Sequence, residues 1–271
     1  HLIMKSGKTS QAGGNLGNPV LDLEMLGPDG TYVVELSSYQ LDLASNIFFD
    51  VAIWTNLTPD HLERHGTLDA YIRAKKKIFM GSGGSAIVGV DDKVSQNVFD
   101  DLVSKGDRAV IPVSAERPVT GGVSVIGGIL YDFMDTVPAS VMGVTDFSQL
   151  PGTHNWHNIA IAYAAARVAG LSRDVFVKSV GSYLGLPHRM EKVGLYNGVA
   201  YVNDSKATNM AAAAKAVACY NKIYWIMGGR AKKVAIEEVL PVLSHVVNIY
   251  TIGESGREFK KNFGKRLCVK H

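Results

Sequence analysis

Cysteine is nearly absent. Cys219 and Cys268 are the only two in 271 residues, too few for a disulfide framework or a thiolate zinc cluster, and they suit a reducing, cytoplasmic setting. No apolar run approaches the roughly 18 residues that read as a membrane helix, and no signal peptide is evident. An excess of one charge is missing as well. The 28 basic and 25 acidic residues are scattered, and the one basic block, Lys75-Lys76-Lys77, is too short to argue for nucleic acid as a partner. Internal repeats and low-complexity tracts are lacking. What is present, 46% hydrophobic and 20% charged residues with 28 glycines, describes a soluble globular α/β protein with material for one large or two ordinary domains.

Buried-strand patterns fall at 32–36, 51–54, 85–90, 109–113, 199–203, 223–227 and 247–252, with a hairpin-like segment over 123–133 and more β or loop over 141–147. Helical patterns at 91–104, 159–169, 173–183, 210–219, 236–246 and 256–263 alternate with them, which argues for a mainly parallel, helix-covered sheet followed by a second βαβ-type unit. A linker over 186–191 separates an expected first domain, 1–185, from a second, 186–271. The opening residues read as the last turns of a helix that ends at Gly7, as though the chain were entered partway through an element. Ser6-Gly7-Lys8-Thr9 lacks the earlier glycine and the preceding strand of a phosphate loop, so it reads as a turn. Gly13-Gly14-Asn15-Leu16-Gly17 reads as a second glycine-rich turn.

The chemistry is expected around residues 55–65 and the helix running on to Lys77. Val51 to Trp54 ends a strand, Thr58 is placed as helix N-cap with Pro59 at the first helical position, and ligands of open α/β sheets bind at such carboxyl edges. His61 and His65 have zinc-protease spacing, but the carboxylate between them, Glu63, would point away from a shared metal. Alone, His61 reads as a cap or surface histidine and the three lysines as a solvated helix face. Glu35 closes a strand; it is either a magnesium ligand or an acid reaching solvent. Asn155 and Asn158 share a face at the start of their helix, where they would contact a base or sugar, or one would simply cap it.

Eight segments in order resemble the Mur ligases. They are Gly13-Gly14-Asn15-x-Gly17, Glu35-Leu36-Ser37-Ser38-Tyr39-Gln40-Leu41, Asn56-x-x-x-Asp60-His61, Ala74-Lys75, Gly152-x-His154-Asn155-x-x-Asn158, Leu186-Pro187-His188-Arg189-x-Glu191, 203–209 (Asn-Asp-Ser-Lys-Ala-Thr-Asn), and Gly228-Gly229. The segments at 37–41 and 204–209 look like the family's D-glutamate-adding branch. The resemblance implies a central ATP-binding domain and an incomplete Rossmann-like C-terminal domain in a monomeric, ATP-dependent amide ligase of peptidoglycan synthesis. Its substrates would be UDP-N-acetylmuramoyl-L-alanine and D-glutamate, joined through an acyl phosphate, with no membrane or nucleic-acid partner. It further implies that Glu35, His61 and Lys75, the last as a carbamate, hold two Mg2+. Asn15, Ser37, Gln40 and His61 would face the muramoyl substrate. Asn155, Asn158, Arg189 and Asp204 would hold the nucleotide, and Lys206, Thr208 and Lys232 would meet phosphate or D-glutamate carboxylates.

The family's phosphate loop and uridine-binding domain are expected before His1, and further C-terminal sequence after Lys270, so these 271 residues alone should turn over nothing. The segment after Gly229 lacks glycines expected of relatives, which makes Lys232 the least secure transfer. The alternatives are another Mur ligase or a folylpolyglutamate synthase-like enzyme, a non-catalytic nucleotide-binding module, and a zinc hydrolase built on His61 and His65.

Overall fold

The computed structural model describes residues 1–147, 149–230 and 235–270. The chain divides into two compact units, one of His1–Asp146 with Trp156–Tyr183, the other of Phe147–Asn155 with Leu184–His271. Lys232 lies outside the described residues. Among those described, no helix is long and apolar enough to cross a membrane.

The first unit opens with a short helix α1 (Leu2–Lys5) and a parallel pair, β1 (Ser10–Gly14) and β2 (Thr31–Glu35). Of the turn expected over 13–17, Gly13 and Gly14 belong to this strand instead, and the chain bends over 15–17. The glycines are required by close approach: a Cβ on Gly14, at φ +110°, would stand 2.2 Å from the carbonyl oxygen of Glu35, and one on Gly13 would stand 2.4 Å from that of Asn18. Glycine's poor strand propensity is overridden by pairing that only glycine permits.

After α2 (Ser38–Leu43) come β3 (Val51–Trp54), α3 (Leu62–His65), α4 (Leu68–Lys76), β4 (Ser85–Gly89), α5 (Lys93–Lys105), β5 (Ala109–Ser114), β6 (Val123–Ile126), β7 (Ile129–Asp132) and β8 (Ala139–Gly143). Strands β3 to β8 form one six-stranded sheet in sequence order, parallel through β6 and antiparallel from there to β8. The sheet is thus mostly parallel, as the alternation of strands and helices predicts. Strands β6 and β7 are joined by Gly127 and Gly128, both at positive φ (58° and 78°), the backbone a two-residue hairpin turn demands. The core below the site packs Ala52, Trp54, Leu57, Tyr71, Phe79, Val88 and Leu102.

Helices α6 (Thr153–Val168) and α7 (Arg173–Val180) follow. Asp132 at the end of β7 has a fully buried side chain; it accepts from the Tyr163 hydroxyl at 2.6 Å, pairs with Arg167 and faces Arg173 at 3.7 Å. A lone buried carboxylate would be expensive, and two guanidinium groups with a hydroxyl make this one tolerable.

The second unit holds a hairpin of β9 (Glu191–Tyr196) and β10 (Val199–Asn203), then α8 (Met210–Val217) and a parallel three-stranded sheet of β11 (Ile223–Gly228), β12 (Val246–Ile252) and β13 (Cys268–Lys270), with α9 (Gly256–Phe263) packed on it. Strands β9 and β13 are unforeseen. The helix expected over 236–246 is instead two 3-10 segments, Ile236–Glu238 and Leu240–His245, separated at Val239, with Pro241 in the first turn of the second, where it has no N–H to continue an α-helix.

Candidate active site

The strand-end segment that follows Trp54 is held from below. Asp92, the N-cap of α5, accepts from the Ser95 amide (2.8 Å) and hydroxyl (2.6 Å) and from the Leu57 amide (3.2 Å). Trp54 donates its indole N–H to Ser95 at 2.8 Å. Gly89 completes the support, because a Cβ there would stand 2.0 Å from the Thr55 carbonyl oxygen. These contacts fix the exit of β3 without any helix at Thr58-Pro59. The N-cap of α3 is His61, in the left-handed conformation at φ 53°, not Thr58. The left-handed region is uncommon for a residue other than glycine, and His61 holds it with the Asp60 and Glu63 carboxylates each 3.8 Å from its ring nitrogens.

Helix α4 starts at Thr67, whose hydroxyl accepts from the Ala70 amide, and carries the three lysines in three directions. Lys76 pairs with Asp101 at 2.7 Å, and Lys77 donates to the Asp42 carbonyl. Lys75 turns inward between two aromatic faces, its Nζ 5.8 Å from the Trp54 ring centroid and 5.7 Å from that of Tyr71. Burial pushes the Lys75 ammonium below its ordinary pKa, and the Glu35 carboxylate partly counters that shift. The solvated-face reading of the run therefore fails for Lys75, and Lys76 and Lys77 are part-exposed and engaged with Asp101 and Asp42.

Tyr71 is the common neighbour of the site. Its ring lies 6.4 Å from that of His61 and 5.3 Å from that of His65, and burial together with the Asp60 charge raises its hydroxyl pKa. Asp60 accepts from the His61 amide at 2.8 Å. Tyr39 meets His61 edge to face at 5.2 Å and His65 at 5.7 Å. His65 is committed elsewhere: its Nε2 lies 3.0 Å from the Ser38 hydroxyl. Tyr71 was not singled out from the sequence, and Trp54 was read only as the end of a strand; the four-residue spacing of Tyr71 and Lys75, which stacks them on one helix face, was the available signal.

The remaining muramoyl-side candidates gather on the same unit. Asn15 donates its amide to Glu35 at 2.8 Å, while its backbone N–H meets the Glu35 carbonyl, also at 2.8 Å. Ser37 and Gln40 form a reciprocal capping box at the start of α2, with Gln40 Oε1 accepting from both the amide and the hydroxyl of Ser37. Both side chains thus have a structural task at rest.

Does this donor set fit the magnesium ions that the resemblance implies? Among the described residues no cluster of three or more His, Cys, Asp and Glu side chains is arranged for a metal ion. Glu35 supplies a hard oxygen donor, and the buried Nδ1 of His61 has no hydrogen-bond partner, with the Glu63 carboxylate 3.8 Å away. A further anionic ligand arises only if the Lys75 amine becomes a carbamate. The set fits Mg2+ on that condition.

The nucleotide-side candidates divide between the units. Asn155 is buried in the second and donates to the Pro151 carbonyl at 2.8 Å; Asn158, one helical turn on, is exposed and belongs to the first. Within the second unit, residues 186–191 are a tight turn and not a free linker. His188 and Met190 adopt positive φ, Glu191 accepts from the His188 amide at 2.8 Å, Asp204 Oδ1 accepts from the Met190 amide at 2.9 Å, and the Lys206 amide donates to the His188 carbonyl at 3.0 Å. Burial raises the Asp204 pKa, opposed by the Met190 amide and the Arg189 charge. The same surroundings lower His154, through burial first and then Lys215 and Arg189. Arg189, Lys206 and Thr208 keep their side chains exposed.

Comparison with known proteins identifies the family. Residues 6–166 match the family model described as the Mur ligase middle domain. The chain is 42% identical over 272 residues to UDP-N-acetylmuramoylalanine--D-glutamate ligase of Caulobacter vibrioides, covering 99% of this chain and 58% of that protein. It is 43% identical over 263 residues to the protein of the same name from Rhodospirillum rubrum, covering 96% and 55%. The chain therefore spans a little over half the length of these relatives. Among solved structures it resembles MurF from Acinetobacter baumannii, with a TM-score of 0.64 at 18% identity over 99% of this chain and 63% of that one. A folylpolyglutamate synthetase from Lactobacillus casei, whose TM-score is 0.53 at 12% identity over 88% and 61%, shares the fold more loosely. With the family model covering more than half of it, the chain belongs to the Mur ligase family.

Proposed function

We propose that this chain is the central and part of the C-terminal portion of an ATP-dependent ligase that adds D-glutamate to UDP-N-acetylmuramoyl-L-alanine. The observation that carries the reading is Lys75, a half-buried amine between Trp54 and Tyr71 that faces Glu35 and has a depressed pKa. An amine that surrenders its proton more readily than usual is nucleophilic enough to capture carbon dioxide and become an anionic oxygen donor. Identity above 40% to proteins named for this reaction supports the choice of D-glutamate over the acceptors of other family members.

In the proposed reaction the alanine carboxylate takes the γ-phosphoryl group of ATP, ADP leaves, the D-glutamate amine attacks the acyl carbon, and inorganic phosphate departs as the amide forms. Bound Mg2+, held by Glu35, His61 and the Lys75 carbamate, would neutralise the charge gathered on the phosphoryl oxygens. The remaining work falls to the chain's own residues. Tyr71 and Trp54 desolvate Lys75, Asn15 orients the Glu35 carboxylate, and Ser37 and Gln40 exchange their mutual bonds for substrate contacts. In the second unit Asp204 would accept from ribose hydroxyls, and Lys206, Thr208 and Lys232 would receive phosphate or D-glutamate carboxylates.

The test has two parts. Incubation with 13C-bicarbonate should give a carbamate carbon resonance that disappears in Lys75→Met. The complete protein containing this chain should release phosphate from ATP only when both the muramoyl-alanine nucleotide and D-glutamate are present. Phosphate release driven equally by L-lysine, diaminopimelate or L-glutamate would move the assignment to another branch.

A further inference from the structure

Helix α4 has a second polar face that the ligase reading leaves unused. Ala70, Arg73 and Lys77 are spaced three and four apart and share one side of the helix, whereas Lys75, two residues past Arg73, is turned about 200° around the axis. On the Arg73 side a cavity of about 410 Å3 opens, floored by Ala70 and Ala74 and edged by Arg64 and Asp42. A second cavity, of about 310 Å3, shares Arg73 and Lys77 with the first and adds Lys76 and Lys105 against an apolar wall that includes Phe79 and Leu102. All of these residues lie in the first unit.

The charges along this double cavity do not balance. Arg64, Arg73 and Lys77 line the first part, and Lys76 and Lys105 join in the second. Asp42 lies against both Arg64 (3.5 Å) and Lys77 (3.9 Å), and Asp101 engages Lys76 at 2.7 Å. Asp107, the carboxylate whose pKa Lys105 helps to lower, is already paired with Arg108 at 3.0 Å. Arg73 has no ion pair or hydrogen bond among the described residues. Cations gathered in a concave site focus their field into it, and a guanidinium fork beside ammonium groups is the donor set that phosphate oxygens match. A single phosphate would occupy one cavity. Two cavities that share their central pair of cations match an anion with two or three linked phosphates.

We propose that this face of α4 binds an oligophosphate, as a free di- or triphosphate or as the headgroup of a phosphorylated lipid, at a site distinct from the Lys75 centre. Inorganic tripolyphosphate titrated into the 271-residue chain without Mg2+ should bind saturably and shift the methyl resonances of Ala70 and Ala74. Exposed Arg73 changed to Glu should weaken binding at least ~10-fold, Arg73→Lys should retain most of it, and Lys260→Glu, on the second unit, should leave it unchanged. Parallel sedimentation with phosphatidylcholine vesicles, with and without diacylglycerol pyrophosphate, separates the sources: saturable tripolyphosphate binding without Arg73-dependent sedimentation assigns a free ligand, and Arg73-dependent sedimentation assigns a headgroup. Saturation by neither, binding indifferent to Arg73→Glu, or shifts confined to the Asn15 and Gln40 amides would overturn the proposal.

Discussion

The Lys75 centre and the Asp204 loop are built in opposite ways. Around Lys75 the groups come from β2, α2, the exit of β3 and α4, and they meet through aromatic rings and a buried amine. Around Asp204 the groups come from one turn and one loop tied together by backbone amides, with Arg189, Lys206 and Thr208 left exposed. The first arrangement exists only while the core beneath it is packed. The second is pinned by the Asp204 and Glu191 carboxylates on backbone amides, and the backbone then presents the exposed Arg189, Lys206 and Thr208. Both designs shift a pKa through burial, Lys75 downwards and Asp204 upwards, but only the first surrounds its group with aromatic rings from separate elements.

The largest expected effect tests that dependence on packing. Trp54→Ala should cost about 3–5 kcal/mol in urea unfolding and return the Lys75 amine towards the ordinary lysine range, as read by its side-chain NMR titration. A comparable truncation on the exposed Asp204 loop, Thr208→Ala, should leave the unfolding midpoint within error.

Next in size is Gly14→Ala. The added Cβ must avoid the Glu35 carbonyl in a backbone conformation that L-residues resist, so a loss of about 1–3 kcal/mol is expected, together with altered Glu35 carboxylate shifts.

A third comparison uses pH. Because the folded-state pKa of Lys75 is depressed, the native chain releases that proton before the unfolded chain does. Stability should therefore rise with pH from the depressed value up to the unfolded lysine value, and Lys75→Met should flatten that slope in alkaline melts. The smallest effect concerns Asp204, whose folded pKa is raised. The native state gains stability as pH falls through that raised value towards the unfolded 3.8, and Asp204→Asn should remove the gain while keeping an acceptor for the Met190 amide. His154 acts in the other direction within the same unit, losing stability as pH drops below 6.5.

Much of the framework was legible before any coordinates. The strand at 51–54, the glycine turn at 127–128 and the alternating elements that imply a parallel sheet follow from periodicity and turn chemistry. The failures have specific causes. Gly13 and Gly14 read as a turn because propensity knows nothing of the Glu35 and Asn18 carbonyls that exclude a side chain. Thr58-Pro59 carried a sound helix-start signal, yet Asp92 captures the Leu57 amide from 35 residues away and His61 takes the capping position. Lys75 looked like its two neighbours; only the family resemblance set it apart, and the inward turn depends on Trp54, which sequence spacing does not connect to it.

The buried Asp132 carboxylate, met by the part-exposed Arg167 and Arg173, carries a consequence for how this chain can vary. Losing either cation leaves the buried acid undercompensated, a steep step, whereas losing the carboxylate leaves two part-exposed guanidinium groups, Arg167 still paired with Asp135 at 3.0 Å, a gentler one. A randomised library at these three positions should return Asp132 only in the company of arginine or lysine at 167 and 173, while the basic residues tolerate an uncharged partner at 132.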